Sequence, residues 1–319
     1  DPRGVGRLAR AASGVGGLIV SLLVVGTLAY DTVDTPSGRA EEVLGGAATY
    51  FSLAASFFTE VRLVGVVGED FRPEYRTLLK ERGIRLDGLV ERPGKTFRWA
   101  GSYVKDLNVA HTLDTQLNVL EGYEPEVPAR FRDSKFVFLA NSPPALQAKV
   151  LDQVGPDAFT AMDTMNLWIQ NTWDDLHALL PRVDMLICND QEALAIGEDH
   201  SLVRAGKKIL DKGPRIVIVK KGEHGAFLWS REFFYALPAY PLETVVDPTG
   251  AGDCFAGGLM GSLAGAGSAR EADLRRAMLY GTVVASYNVE DFSVGRLRRL
   301  TRADIDARHG ELLRFTAHP

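Results

Sequence analysis

The chemistry of this chain concentrates in one stretch, Asp247-Pro248-Thr249-Gly250-Ala251-Gly252-Asp253. Small residues follow it, and Ala251 to Ala264 reads as a helix. A glycine-rich turn opening a helix gathers free backbone N–H groups at the positive end of the helix dipole, so it suits an anion. Asp253 falls in the first turn, where its carboxylate repels that anion. A base that takes a proton from a hydroxyl, while the N–H groups hold a transferring phosphoryl group, accounts for this placement. An aspartate capping an ordinary glycine turn accounts for it equally well.

The elements that must position these residues are apolar runs. Leu18 to Val25, Val61 to Val67, Ser134 to Leu139, Phe159 to Asp163, Met185 to Cys188 and Arg215 to Val219 read as core strands. Asp31 follows the first strand on its C-terminal side, where ligands collect in open α/β sheets. A carboxylate suits vicinal hydroxyls because it accepts from two donors at once. Gly45-Gly46 opens a helix to about Phe58 and lets backbone approach a ligand. Asn189-Asp190-Gln191-Glu192 follows the strand at 185–188 and by itself reads as a helix cap. Phe97, Trp99 and Tyr103 alternate on one face of a β-rich segment, facing a substrate, the core or a second copy.

Asp247 to Asp253, with Phe255, Gly257 and Gly258, resembles the C-terminal signature of the ribokinase (pfkB) family of sugar and nucleoside kinases. Other segments across residues 20–300 resemble the family in its order. The resemblance implies a three-layer α/β/α core with a mostly parallel central sheet and a small β lid from about 32–44 and 92–120. The kinase domain would span 18–305, after a disordered extension at 1–17 and before a C-terminal tail at 306–319. It implies ATP and Mg2+ as cofactors and transfer of the γ-phosphoryl group to a hydroxyl of a small sugar. A nucleoside acceptor of adenosine-kinase type stays open beside it. A catalytically silent, ligand-sensing homologue is the alternative of another class, against which the intact Asp253 and Asn189/Glu192 count.

Carried over residue by residue, Asp253 would be the catalytic base, with Gly250, Ala251 and Gly252 as the anion hole. Asp31, Gly45 and Gly46 would hold the substrate, and Asn166, one residue out of register with the family's Asp-x-Asn, would join them. Tyr50 stands where the family has an asparagine, so it is either a substrate contact or a core aromatic. Asn189 and Glu192 would serve the nucleotide, Glu192 reaching Mg2+ through water, in keeping with an ion that takes few protein ligands. Lys220, Gly222, Gly225, Asp247, Thr249 and Asn288 complete the expected nucleotide side.

Composition sets the boundaries. At 319 residues the chain can bury a large core as one α/β domain or two smaller ones. A net charge of −5 and the absence of a basic run argue against a nucleic-acid partner. Two cysteines, Cys188 and Cys254, make neither a disulfide framework nor a zinc site, and a cytoplasmic place fits them. The run from Val15 to Ala29 is short and glycine-rich for a membrane span. No GxGxxG follows the first strand, which counts against a dehydrogenase. The resemblance further implies a homodimer paired through the lids.

Overall fold

The computed structural model describes residues 20–104 and 106–317; the extension expected over 1–17 lies outside the described residues. The strands are β1 (Leu22–Val25), β2 (Ala29–Thr35), β3 (Gly38–Gly45), β4 (Val61–Gly68), β5 (Arg85–Arg92), β6 (Arg98–Ser102) and β7 (His111–Gln116), followed by β8 (Phe136–Leu139), β9 (Phe159–Asp163), β10 (Met185–Asn189), β11 (Ile216–Lys220), β12 (Ala226–Ser230) and β13 (Phe234–Leu237). Nine of them form one sheet in the order β13-β12-β11-β10-β9-β8-β1-β4-β5. From β11 to β5 every pairing is parallel. β12 and β13 continue one edge antiparallel.

The strand runs are apolar throughout because both faces are covered. Side chains alternate across the sheet, so Leu22, Val24, Phe138, Ile187 and Ile218 enter one core. Leu23, Val25, Leu139, Leu186 and Val217 enter the other. Helices Ala47–Ala55, Ala251–Ala266 and Glu271–Asn288 cover the first face. Helices Trp173–Leu179, Asp190–Gly197 and Leu202–Asp211 cover the second. These are the three α/β/α layers expected.

A second sheet has the order β3-β2-β6-β7. Here the polar stretch 32–44 is a strand pair, and Asp31 lies inside β2 rather than in a turn. The connection Gly26 to Leu28 already turns the chain, so β2 starts at once and buries alternate residues Asp31, Val33 and Thr35.

The segment 306–319, expected as a tail, belongs for most of its length to a helix, Arg302–Thr316. A Thr301/Asp304 capping box starts it. Ile305 and Leu312 are fully buried, and the helix packs on Glu271–Asn288. No helix among the described residues is long and apolar enough to cross a membrane.

Candidate active site

Three neighbouring parallel strands end side by side in polar residues: Asp163 closes β9, Asn189 closes β10 and Lys220 closes β11. Buried strands bring their C-terminal ends to one rim, which is where open α/β sheets bind ligands. These side chains line a cavity of about 200 Å3 together with Glu192, Gly252 and Asp253, and with Ala47, Asn141, Thr164 and Met165.

The Lys220 ammonium lies 3.5 Å from Asp163 Oδ2. Burial alone would lower its pKa, but the carboxylates of Asp163, Glu192 and Asp253 outweigh burial and raise it. Glu192 is pushed above the usual carboxylate range by burial and by Asp163, against the pull of Lys220. Asn189 and Glu192 form a complete capping box: the Glu192 N–H donates to Asn189 Oδ1 at 2.8 Å, and the Asn189 N–H donates to Glu192 Oε2 at 2.7 Å. The cap and the cavity wall are thus the same two residues.

Across the cavity, helix Ala251–Ala266 starts at Gly250, whose φ of +73° is left-handed backbone that favours glycine. No side chain caps this helix, and Asp253 is the one acidic residue in its first turn. Ala251 N–H donates to Pro248 O at 3.1 Å, which engages one of the amides expected to face an anion. A Cβ at Gly252 would lie 2.9 Å from Lys220 Nζ, so the missing side chain lets the ammonium reach the helix end. The Asp253 carboxyl is pushed up to about 7 by burial and by Asp163, with Lys220 opposing.

The second sheet supplies the other wall. Asp31 is 4% exposed, and burial followed by Asp247 and Asp253 pushes it up to about 7, although the Gly46 N–H donates to it. A Cβ at Gly45 would lie 1.8 Å from Asp31 Oδ2, so glycine is needed there. Tyr103 comes from the end of β6, and its hydroxyl accepts from Thr249 Oγ1 at 3.3 Å. Asn108, beyond it, donates through Nδ2 to Glu223 Oε2 at 2.6 Å, beside Gly222 in the turn after β11. The second sheet therefore bridges from the 247–253 loop to the 222–225 turn.

The loop itself is heavily held. Asp247 accepts from the N–H groups of Thr249 at 2.9 Å and Ser293 at 3.1 Å. Asn288 Nδ2 donates to Thr249 O at 2.8 Å.

The structure thus brings together Asp253, Gly252, Asn189, Glu192 and Lys220 around one cavity, with Asp31 and Gly46 beside them. Gly250 and Ala251 turn the chain at the cavity's edge. The other candidate residues lie apart from the cavity lining. Tyr50 is a core aromatic, 1% exposed, with its ring under Gly250, where a Cβ would lie 2.4 Å from Tyr50 Cγ. Asn288 is fully buried, and its Nδ2 holds the loop from behind through Thr249 O. Asp247 and Thr249 are buried and act as loop braces. Asn166 is exposed at a helix start, outside the cavity lining; the extra residue before it displaces it, and Thr164 and Met165 line the cavity in its place. Gly225 has its own close approach, with a Cβ position 2.0 Å from Leu237 O.

Sequence reading gave no role to Asp163 or Asn141 and left Tyr103 open between a substrate, the core and a second copy. The signal for Asp163 was present: a polar residue closing a buried parallel strand, as Asn189 does. Tyr103 was indistinguishable from an interface aromatic until the second sheet was seen to fold over the loop.

The donor set fits a magnesium nucleotide. An uncapped helix N-terminus and Lys220 suit phosphate oxygens. Among the described residues no group of three or more His, Cys, Asp or Glu is placed to hold a metal. One buried carboxylate with a neighbouring amide suits Mg2+, which keeps most of its waters.

Comparison with known proteins bears on this geometry. A family model described as pfkB family carbohydrate kinase matches residues 20–298. The cytidine kinase of Thermococcus kodakarensis is 30% identical over 247 residues, covering 76% of this chain and 88% of that protein. The nucleoside kinase of Burkholderia thailandensis, solved in complex with inosine, superposes with a TM-score of 0.74 at 20% identity, over 93% of this chain and 100% of that one. A putative ribokinase II from E. coli, solved with ATP and Mg2+, superposes with a TM-score of 0.76 at 20% identity, over 92% and 100%. At these identities the two structures speak for the fold alone.

Proposed function

The chain belongs to the pfkB family of carbohydrate kinases, and on that premise we propose that Asp253 deprotonates a primary hydroxyl of a small sugar or nucleoside as the γ-phosphoryl group of ATP moves to it. The observation that carries this reading is the Asp253 carboxyl, raised to about 7, in the first turn of an uncapped helix beside the Lys220 ammonium. A base with that pKa is half ionised near neutral pH and strong enough to accept a hydroxyl proton in the transition state.

Bound MgATP supplies the phosphoryl group. Lys220 and the Gly250–Gly252 backbone would hold its phosphates, and Glu192 with Asn189 would serve the magnesium ion through water. Asp31 and the Gly45–Gly46 turn orient the acceptor's hydroxyls. The second sheet acts as a lid that keeps water from taking the phosphoryl group. The chemistry is positioning plus charge stabilisation. The cytidine kinase relative supports a nucleoside as the acceptor beside a simple sugar. The lid edge β7, exposed along its whole length with Leu113 67% exposed, is where a second copy would pair.

The test is Asp253→Asn. Turnover should fall by two to four orders of magnitude, while nucleotide binding, read by calorimetry, persists. Turnover within a few fold of the parent would remove Asp253 from the role of base.

A further inference from the structure

Resting on the kinase reading above, we infer that Trp99 is a stacking platform for a flat heterocycle, so that the acceptor is a nucleoside and Trp99 sets the preference for it over a free sugar. In the parallel pairing of β2 with β6, Asp31 stands beside Trp99 and Val33 beside Gly101. Neighbouring residues in paired strands point to the same face. Trp99 therefore emerges on the face that carries the Asp31 carboxylate, the face from which Tyr103 reaches Thr249. That face looks into the site.

The Trp99 ring lies back along its own strand over Gly101. A Cβ at that position would lie 2.2 Å from Trp99 Cη2 and 2.3 Å from Cζ2. Glycine at 101 is thus what lets the indole lie there. Trp99 Nε1 donates to Thr112 Oγ1 on β7 at 3.2 Å, which fixes the ring. Gly101 lies against the ring, and the residue is partly exposed. An indole fixed in place and partly exposed, on the strand position beside a hydroxyl-binding carboxylate, matches a pentose joined to a base: hydroxyls to Asp31, base over Trp99. Among other aromatic side chains near the site, Tyr50 is sealed under Gly250, Tyr103 is turned to Thr249, and Trp168 donates to Asn141 Oδ1 at 2.8 Å.

Stacking on an aromatic face accepts any base, and its loss costs about tenfold to hundredfold in affinity. The experiment compares the parent protein, Trp99→Ala and Trp99→Phe with MgATP and cytidine, adenosine or ribose. In Trp99→Ala the ratio of kcat/KM for nucleoside to that for ribose should fall by about tenfold to hundredfold, mostly through KM, and Trp99→Phe should restore most of it. Nucleoside should also quench tryptophan fluorescence in the parent but not in Trp99→Phe, which retains the other three of the chain's four tryptophans. An unchanged ratio, or a quench that survives in Trp99→Phe, overturns the platform while the kinase reading stands. No ADP release with any acceptor would count against the kinase reading, and the fluorescence titration would still decide on Trp99.

Discussion

Two carboxyl groups, Asp31 and Asp253, carry charge that the fold makes costly. Both are raised to about 7, mainly by burial. Such a group holds its proton longer in the folded chain than in the unfolded one. For Asp31 the stabilising contribution is full below the ordinary value of 3.8 and is lost as pH rises to about 7. Asp31→Asn should therefore melt higher than the parent at pH 8, and the gain should shrink at pH 5. Thermal melts at the two values check this; a gain that grows toward pH 5 contradicts it. The same residue shows a limit of reading sequence. Asp31 was legible as a candidate ligand, because an acidic residue just past a core strand sits where open α/β sheets collect ligands. Its place in a strand was not legible, because β2 is half polar and its burial depends on the lid packing above the site. Tyr50 was ambiguous for the opposite reason. Its type suits a ligand or a core, and only the close approach of Gly250 puts it in the core.

At the scale of elements, the site is the meeting of three strand ends with one helix start. β9, β10 and β11 bring Asp163, Asn189 and Lys220 together, and Lys220 is the cation that offsets Asp163, Glu192 and Asp253. Removing one member of a buried charged group leaves the others uncompensated. Lys220→Met should lower kcat by about a hundredfold to a thousandfold, the loss expected of one transition-state donor. It should also raise the KM for ATP and lower the melting temperature. Lys220→Arg should recover part of the binding. Steady-state kinetics with ATP varied checks this, and a kcat near the parent's with only a higher KM would make Lys220 a binding group alone. The strands themselves were legible because parallel strands buried on both faces read as unbroken apolar runs. The convergence of their ends was not, since spacing along the chain carries no information on which strands are neighbours.

At the scale of the molecule, the core, the lid and the C-terminal helix act as one scaffold. The lid reaches from Thr249 through Tyr103 to Glu223 through Asn108, so closing it touches both the base loop and the turn on the nucleotide side. Helix Arg302–Thr316 escaped sequence reading because its apolar stripe is thin. Ile305 and Leu312 sit among arginines, one of which, Arg308, covers the Tyr287 ring at 3.4 Å. The central claim is phosphoryl transfer to a small hydroxyl acceptor. It is tested most directly by ADP release from purified protein with MgATP across ribose, fructose, cytidine, adenosine and inosine, with Asp253→Asn in parallel. The account predicts acceptor-dependent ADP release, greatest with a nucleoside and abolished in Asp253→Asn. Release that ignores the acceptor, or that survives in the variant, would contradict it.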